Sequence, residues 1–407
     1  MGGPYFSGGT LNYLHISAQK STHLGAGRLG KTGIALSGGG VRAMAFHAGV
    51  FQALAERRAL EGIAKLSTVS GGSLFMGLLG RLTGWRWPTS DQYLNTVLPA
   101  VRDTLTSVCL ERHTARLLLR PWAWRHIFSR ANLLAMSLEE CWGINVPVDA
   151  ISGFEREWSI NGTTAETGRR FRFKHDRCGD YELGYAAATE FPLSLALASS
   201  AAYPFIIGPV AIAMENFTWT KRPKWGGDTF DEVAIAPAFR RIHVMDGGIY
   251  DNLGTEPLFD AGRQVLKDGV DELIVSDAGA PLTREGLAAQ LSIKRARRAV
   301  EIALDQTRAL RVRSFINSLQ RGAIKGRYYG IGSEPSRRRI LSGPVAEGSQ
   351  WLSSDQIDIA ARWPTDLKML SYDAFDLICR HGCEVVKKTE MLVNKKEEVG
   401  YGSKSIS

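Results

Sequence analysis

IAKLSTVSGGSL, Ile63–Leu74, is an apolar run that ends at Ser70 and two glycines and leads into a second apolar stretch, Gly71–Gly84. The run to Val69 has strand character, the Gly-Gly pair marks a tight turn, and the stretch after it has helical spacing. The same order occurs upstream. Gly33–Ser37 is a short apolar strand, Gly38-Gly39-Gly40 a glycine turn, and Val41–Leu60 an apolar-periodic helix. The first 85 residues therefore read β-α-β-α, which predicts a parallel sheet with helices packed on its faces.

Beyond this core, residues 89–150 are mostly helical in pattern. Ile160–Thr164 and Arg170–Phe173 flank Glu166-Thr167-Gly168 as a hairpin. Two later strands stop on acids, Ile242–Met245 before Asp246 and Leu273–Ser276 before Asp277. Helices are expected over roughly 290–320 and 373–393. The domain reading is an extended lead-in over 1–30, a folded domain over 31–395 and a flexible tail over 396–407. Within the domain, 33–280 carries the motifs and 285–395 is a helical part.

A chain of 407 residues with 22% charged residues has an ordinary globular make-up. No apolar run reaches 18 residues, so no spanning helix is expected. The first residues lack the basic-then-apolar layout of a secretory leader. Five scattered cysteines fit free thiols in a reducing, cytoplasmic compartment; Cys379 and Cys383 have no second pair at zinc spacing, so no metal is expected. The formal charge of +9 suits an anionic lipid surface, nucleic acid, or simply a solvated basic face.

Three serines compete at the second turn. A nucleophile elbow needs its serine between strand and helix, with small neighbours. Ser70 satisfies this, being followed by Gly71 and Gly72. Ser73 falls in the first helical turn, with bulky Phe75 two places on, and reads as a partner for free helix-end N–H groups. Ser67 precedes the end of the strand. Capping of the helix remains an alternative role for Ser70.

Gly38-Gly39-Gly40-Val41-Arg42-Ala43 also satisfies G-x-G-x-x-A, a dinucleotide fingerprint. That reading needs an acid at the end of the next strand, where Thr68-Val69-Ser70 stands instead. What survives is a glycine turn whose N–H groups favour a phosphate or an oxyanion, with Arg42 adding positive charge.

A serine needs a base. His381 is the one histidine near the C-terminal end, but it lies in a helical pattern. Asp246 ends a strand and precedes Gly247 and Gly248, which let the chain turn and keep the carboxylate accessible. Asp277 reads as structural, and His243, alternating with Ile242 and Val244, points away.

Together these segments resemble the patatin-like phospholipase family. The matching motifs are Gly38-Gly39-Gly40-Val41-Arg42, Val69-Ser70-Gly71-Gly72 and Asp246-Gly247-Gly248, in order, with Asn161, Thr167-Gly168 and Ala198–Pro204 in support. The resemblance implies a three-layer α/β/α fold with a mostly parallel central sheet. It implies a Ser70–Asp246 dyad without histidine, an oxyanion hole from Gly38, Gly39 and Gly40, and supporting roles for Arg42, Gly72 and Gly247. No cofactor is implied. Thr68 departs from the family, which usually has glycine there.

The activity implied is hydrolysis of fatty acyl esters of membrane phospholipids through an acyl-enzyme. A weakly catalytic lipid- or nucleic-acid-binding module and an acyltransferase using the same serine are the alternatives. Nucleic acid is the less expected partner, and the oligomeric state is open. Peripheral contact with an anionic membrane would use Arg112–Arg130, where Trp122, Trp124 and Phe128 stand among five arginines. Lys294–Arg327, with ten Lys/Arg against Glu301 and Asp305, is a second basic stretch. Both also read as helices with solvated basic faces.

Overall fold

The computed structural model describes residues 31–126, 129–204, 206–222, 232–289, 292–334 and 351–402. The expected lead-in over 1–30 therefore lies outside the described residues, as do Phe128 and the side chains of Trp122 and Arg125.

β1 (Thr32–Leu36) is buried almost throughout, and its alternation feeds two separate cores. Ile34 and Leu36 pack into the larger one with α1 (Gly40–Glu56) and α2 (Gly71–Leu82). Ala35 faces the other, with Leu253, Phe259 and Phe315. Successive side chains on a strand leave opposite faces, so a strand apolar at every position must be covered on both. Helices on two sides of one sheet give the expected three layers.

β2 (Ile63–Val69) pairs with β1 and with β3 (Glu157–Thr164), all parallel. β3 turns back into β4 (Arg170–Phe173) through the expected hairpin. An antiparallel run continues through β5 (Arg177–Asp180), β6 (Gly184–Ala187), β8 (Trp219–Lys221) and β9 (Val233–Ile235), while β7 (Val210–Ala213) pairs with β10 (Arg241–Asp246). A small ribbon, β11 (Phe259–Asp260) with β12 (Val265–Leu266), stands apart. β13 (Glu272–Asp277) joins the far edge of β1, and β14 (Gly326–Gly330) joins β13, again parallel. The glycine and serine motifs thus lie on the parallel run β14-β13-β1-β2-β3, and the aspartate motif ends β10, which joins β3 antiparallel.

The region after residue 285 is not wholly helical, because β14 completes this sheet. Its helices Ile293–Gln320 and Tyr372–Gly402 bracket the strand. The second runs beyond the expected end near 393 and through most of the expected tail. Its Lys- and Glu-rich end has good helix propensity and no proline. Residues 403–407 lie outside the described set. Tyr372–Gly402 packs tightly on α1: a Cβ at Gly49 would collide with the Cys379 carbonyl, and one at Gly382 with that of Phe46. Cys379 and Cys383 are buried, unpaired thiols in this contact.

Candidate active site

β1 and β2 end side by side, so the two glycine-bearing turns touch. A Cβ at Gly38 would lie 3.0 Å from Ser70 Cβ, and one at Gly71 would collide with the Gly40 carbonyl. Gly72 approaches the Leu36 carbonyl so closely that a Cβ would sit 2.5 Å from its oxygen. Only glycine lets α2 start this near to β1.

Ser70 has φ 49° and ψ −119°, outside the conformations an ordinary side chain adopts at low energy. That is the strained turn a nucleophile elbow requires. The Ser70 side chain makes no capping hydrogen bond to α2.

Hydroxyl hydrogen bonds brace the elbow from beneath. The Ser70 N–H donates to Ser200 Oγ at 3.0 Å, and Ser200 Oγ donates to the Asn161 carbonyl at 2.6 Å. With that proton committed, Ser73 Oγ must donate to Ser200 Oγ (2.8 Å), and Thr68 Oγ1 to Ser73 Oγ (2.8 Å). Trp158 Nε1 donates to Thr68 Oγ1 at 2.9 Å. Thr68 is thus accommodated where the family usually has glycine. Ser73 serves this chain rather than the helix-end N–H groups expected of it. The motif reading did not assign Ser200 or Trp158 a role; the Ser199-Ser200 pair within Ala198–Pro204 was the available signal.

Asp246 ends β10, opposite Gly162 of β3. Its Oδ1 accepts the Gly248 N–H at 2.6 Å, and the Ser70 side chain lies close enough to favour its charged form. Burial pushes its pKa up to about 6, against the opposing pull of the Gly248 amide and the Ser70 side chain. Gly247 is required because a Cβ would collide with the Asn161 carbonyl.

The glycine turn divides by function. The Gly38 N–H donates to the Asn252 carbonyl at 3.2 Å, whereas those of Gly39 and Gly40 have no partner among the described residues. Gly39, at φ 144°, caps α1, whose N-terminal end carries partial positive charge. Arg42 is buried and fully engaged: Nε and Nη2 donate to the Ala278 carbonyl at 3.2 and 3.1 Å, and Nη1 to that of Trp363 at 2.5 Å. It ties the start of α1 to the chain after β13 and to Trp363.

The competing groups are committed elsewhere. His381 is buried beside Phe46, and its Nε2 accepts the Gly332 N–H at 2.9 Å. Burial lowers its pKa to about 3, so it is neutral. His243 pairs with Glu166 at 2.7 Å, while Ile242 and Val244 are buried. Asp277 forms a buried ion pair with Arg308 at 2.9 Å and accepts the Tyr328 hydroxyl at 2.6 Å. No described histidine hydrogen-bonds Ser70 or Asp246. Among the described residues no His/Cys/Asp/Glu cluster suits a metal ion, and no helix is long and apolar enough to cross a membrane.

A three-layer α/β/α fold with a serine elbow and a neighbouring aspartate defines a class of lipid acyl hydrolase folds. Residues 34–259, more than half the chain, match the patatin-like phospholipase family, and the chain belongs to that family. Human GIVD cytosolic phospholipase A2 is similar in fold, with a TM-score of 0.51 at 12% identity over 90% of this chain and 62% of that one. The same human protein in complex with methyl gamma-linolenyl fluorophosphonate gives 0.47 at 14% identity, over 90% and 59%. VipD from Legionella pneumophila gives 0.36 at 14%, over 94% and 70%. The chain thus spans less than two thirds of the human protein's length. No curated protein sequence matches it.

Proposed function

We propose that this chain is a serine hydrolase of fatty acyl esters in membrane phospholipids, with Ser70 as nucleophile and Asp246 as general base. The observation that carries the reading is the Ser70 elbow, φ 49° and ψ −119°, with its side chain beside the buried carboxylate of Asp246. A carboxylate with a pKa of about 6 is mostly ionised at pH 7, yet far more basic than an ordinary aspartate.

Asp246 takes the Ser70 proton as Oγ attacks the ester carbonyl carbon. Negative charge then grows on the carbonyl oxygen, and the unpaired N–H groups of Gly39 and Gly40, at the head of α1, are the donors available for it. Collapse breaks the ester bond, and the departing lysolipid oxygen takes the proton from Asp246. A water then gives its proton to Asp246 and attacks the acyl-serine, which releases the fatty acid and restores Ser70. Gly38 belongs to the turn but spends its N–H on Asn252.

Exposed apolar and aromatic residues linked to the Asp246 strand support a lipid substrate. Ala202, whose carbonyl accepts the Asp246 N–H, leads into Tyr203 and then Ile206, which is 43% exposed. Arg130 Nη1 donates to the Ile206 carbonyl at 3.3 Å and ties that loop to the segment bearing Leu119 and Trp124, 81% and 59% exposed. Apolar and aromatic side chains among arginines suit a headgroup layer.

A fluorophosphonate probe tests the reading. Covalent labelling that Ser70→Ala abolishes, with fatty acid release from phosphatidylcholine vesicles lost in parallel, is the expected result. Unlabelled protein that still binds the vesicles would exclude the enzyme.

A further inference from the structure

β4 carries Arg170 and Arg172 two residues apart, so both side chains leave the same face of the sheet. They lie in register with Thr163 and Asn161 of β3. This is the face away from α2: Asn161 Nδ2 donates to Ser67 Oγ at 2.9 Å, whereas the neighbouring Thr68 hydroxyl turns to Ser73 of α2.

Neither arginine meets a carboxylate within ion-pair distance among the described residues. The Arg172 guanidinium lies 4.6 Å from the centre of the Tyr185 ring, and its buried Nε has no hydrogen-bond partner. Arg170 has one polar contact, Nη1 to the neutral Asn161 Oδ1 at 3.2 Å. Lys267 comes 3.9 Å from Glu256, whose carboxylate is also shared with Arg311 at 3.3 Å. Asp251 accepts the amides of Leu253 and Glu256 and pairs with Arg311 at 3.6 Å. Asp260 holds its own turn and pairs with Arg263 at 3.9 Å. Arg170 and Arg172 thus leave a surplus of two positive charges with no carboxylate at ion-pair distance among the described residues. Burial and mutual repulsion both press on it, since Arg172 helps to lower the pKa of Arg170 and of Lys267, after desolvation.

We propose that Arg170 and Arg172 form a binding site for a phosphate-bearing anion, separate from the Ser70 turn. A phosphate dianion matches the surplus, and a guanidinium seated 4.6 Å from an aromatic ring can offer two parallel N–H···O bonds to it. The site adjoins both strands that present the dyad. Asn161, the partner of Arg170, also donates to the Thr68 carbonyl of β2 at 2.9 Å, and Thr163 donates to the Asp246 carbonyl at 2.8 Å.

The test uses full-length Ser70→Ala protein, so that hydrolysis plays no part and the outcome is independent of the hydrolase reading. The probes are inorganic phosphate, inositol trisphosphate, and phosphatidylcholine vesicles with and without phosphatidic acid. Thermal shift, calorimetry and vesicle sedimentation report binding. Saturable binding that Arg172→Gln weakens by about tenfold or more, and that Arg313→Gln on the exposed face of Ile293–Gln320 leaves unchanged, is expected. Arg172→Lys should fall between, keeping charge without the fork. Because the Arg172 side chain makes no hydrogen bond among the described residues, Arg172→Gln should leave Tm nearly unchanged when no anion is present. Response to the soluble probes assigns a free phosphate compound; response only to phosphatidic acid vesicles assigns a lipid headgroup. The proposal falls if no probe separates Arg172→Gln from its parent, if Arg313→Gln loses as much, or if Arg172→Gln is destabilised without anion.

Discussion

Ser70 and Asp246 meet end to end along one edge of β3. Val69 of β2 faces Asn161, and Asp246 of β10 faces the next residue, Gly162, from a strand running the opposite way. The serine proposed as nucleophile thus leaves the end of one strand where the proposed base arrives at the end of another. Backbone pairing to a shared neighbour fixes both positions, which makes the constellation rigid before any substrate binds.

The dyad is expected to be indispensable while the fold survives its loss. Ser70→Ala and Asp246→Asn should each lower kcat/KM by roughly a thousandfold or more, with circular dichroism unchanged. Ser73→Ala should keep fluorophosphonate labelling. Retained activity in Ser70→Ala would move the nucleophile elsewhere.

Strain at the elbow gives an independent signature. With φ at 49°, Ser70→Gly should be more stable than Ser70→Ala by roughly 1 kcal/mol, although both are inactive. Denaturant midpoints measure the difference, and equal midpoints would mean an unstrained turn.

Asp246 should leave its mark on pH dependence. Its folded pKa of about 6 exceeds the unfolded value near 3.8, so the folded state holds the extra proton between them. Stability contributed by this group is therefore lost as pH rises through that window, by roughly 3 kcal/mol when complete. Relative to Asp246→Asn, the parent protein should weaken between pH 4 and about 6, the upper end set by the folded pKa. Hydrolysis should rise over the same limb, as the base ionises. A flat difference in stability would show an unperturbed carboxylate.

His381 should matter for stability alone. His381→Ala leaves a cavity beside Phe46 and an unsatisfied Gly332 N–H, a loss of roughly 2–4 kcal/mol. Activity per folded molecule should be kept. Its disappearance would restore a histidine to the mechanism.

Thr68 is expected to be a positioning residue. Thr68→Val removes the acceptor for Trp158 Nε1 and the donor to Ser73, at a cost of roughly 1–3 kcal/mol, with kcat falling more than KM changes. Thr68→Ser should restore both, since it keeps the hydroxyl. A Thr68→Val enzyme with unchanged kcat would reduce the relay to packing.

The local grammar of the chain was readable because local physics writes it. Apolar runs, glycine pairs and acids at strand ends located β1, β2, β10, β13 and the turns between strand and helix, since these depend on neighbours in sequence. β14 was harder to see: GRYYG carries little apolar signal, and its strand character comes from pairing with β13. The outer antiparallel strands from 177 onward are equally short and were not legible either.

The sequence by itself determined the motif order, the strand-turn-helix units and Ser70 as the serine with room to stand out. Only the tertiary structure decided that Gly38 spends its N–H on Asn252, that Arg42 grips two carbonyls, and that Thr68 fits by bonding Trp158 and Ser73. The reason is physical. Backbone conformation and apolar spacing are properties of a few adjacent residues, whereas a hydrogen-bond partner or a shifted pKa depends on groups brought close from distant parts of the chain.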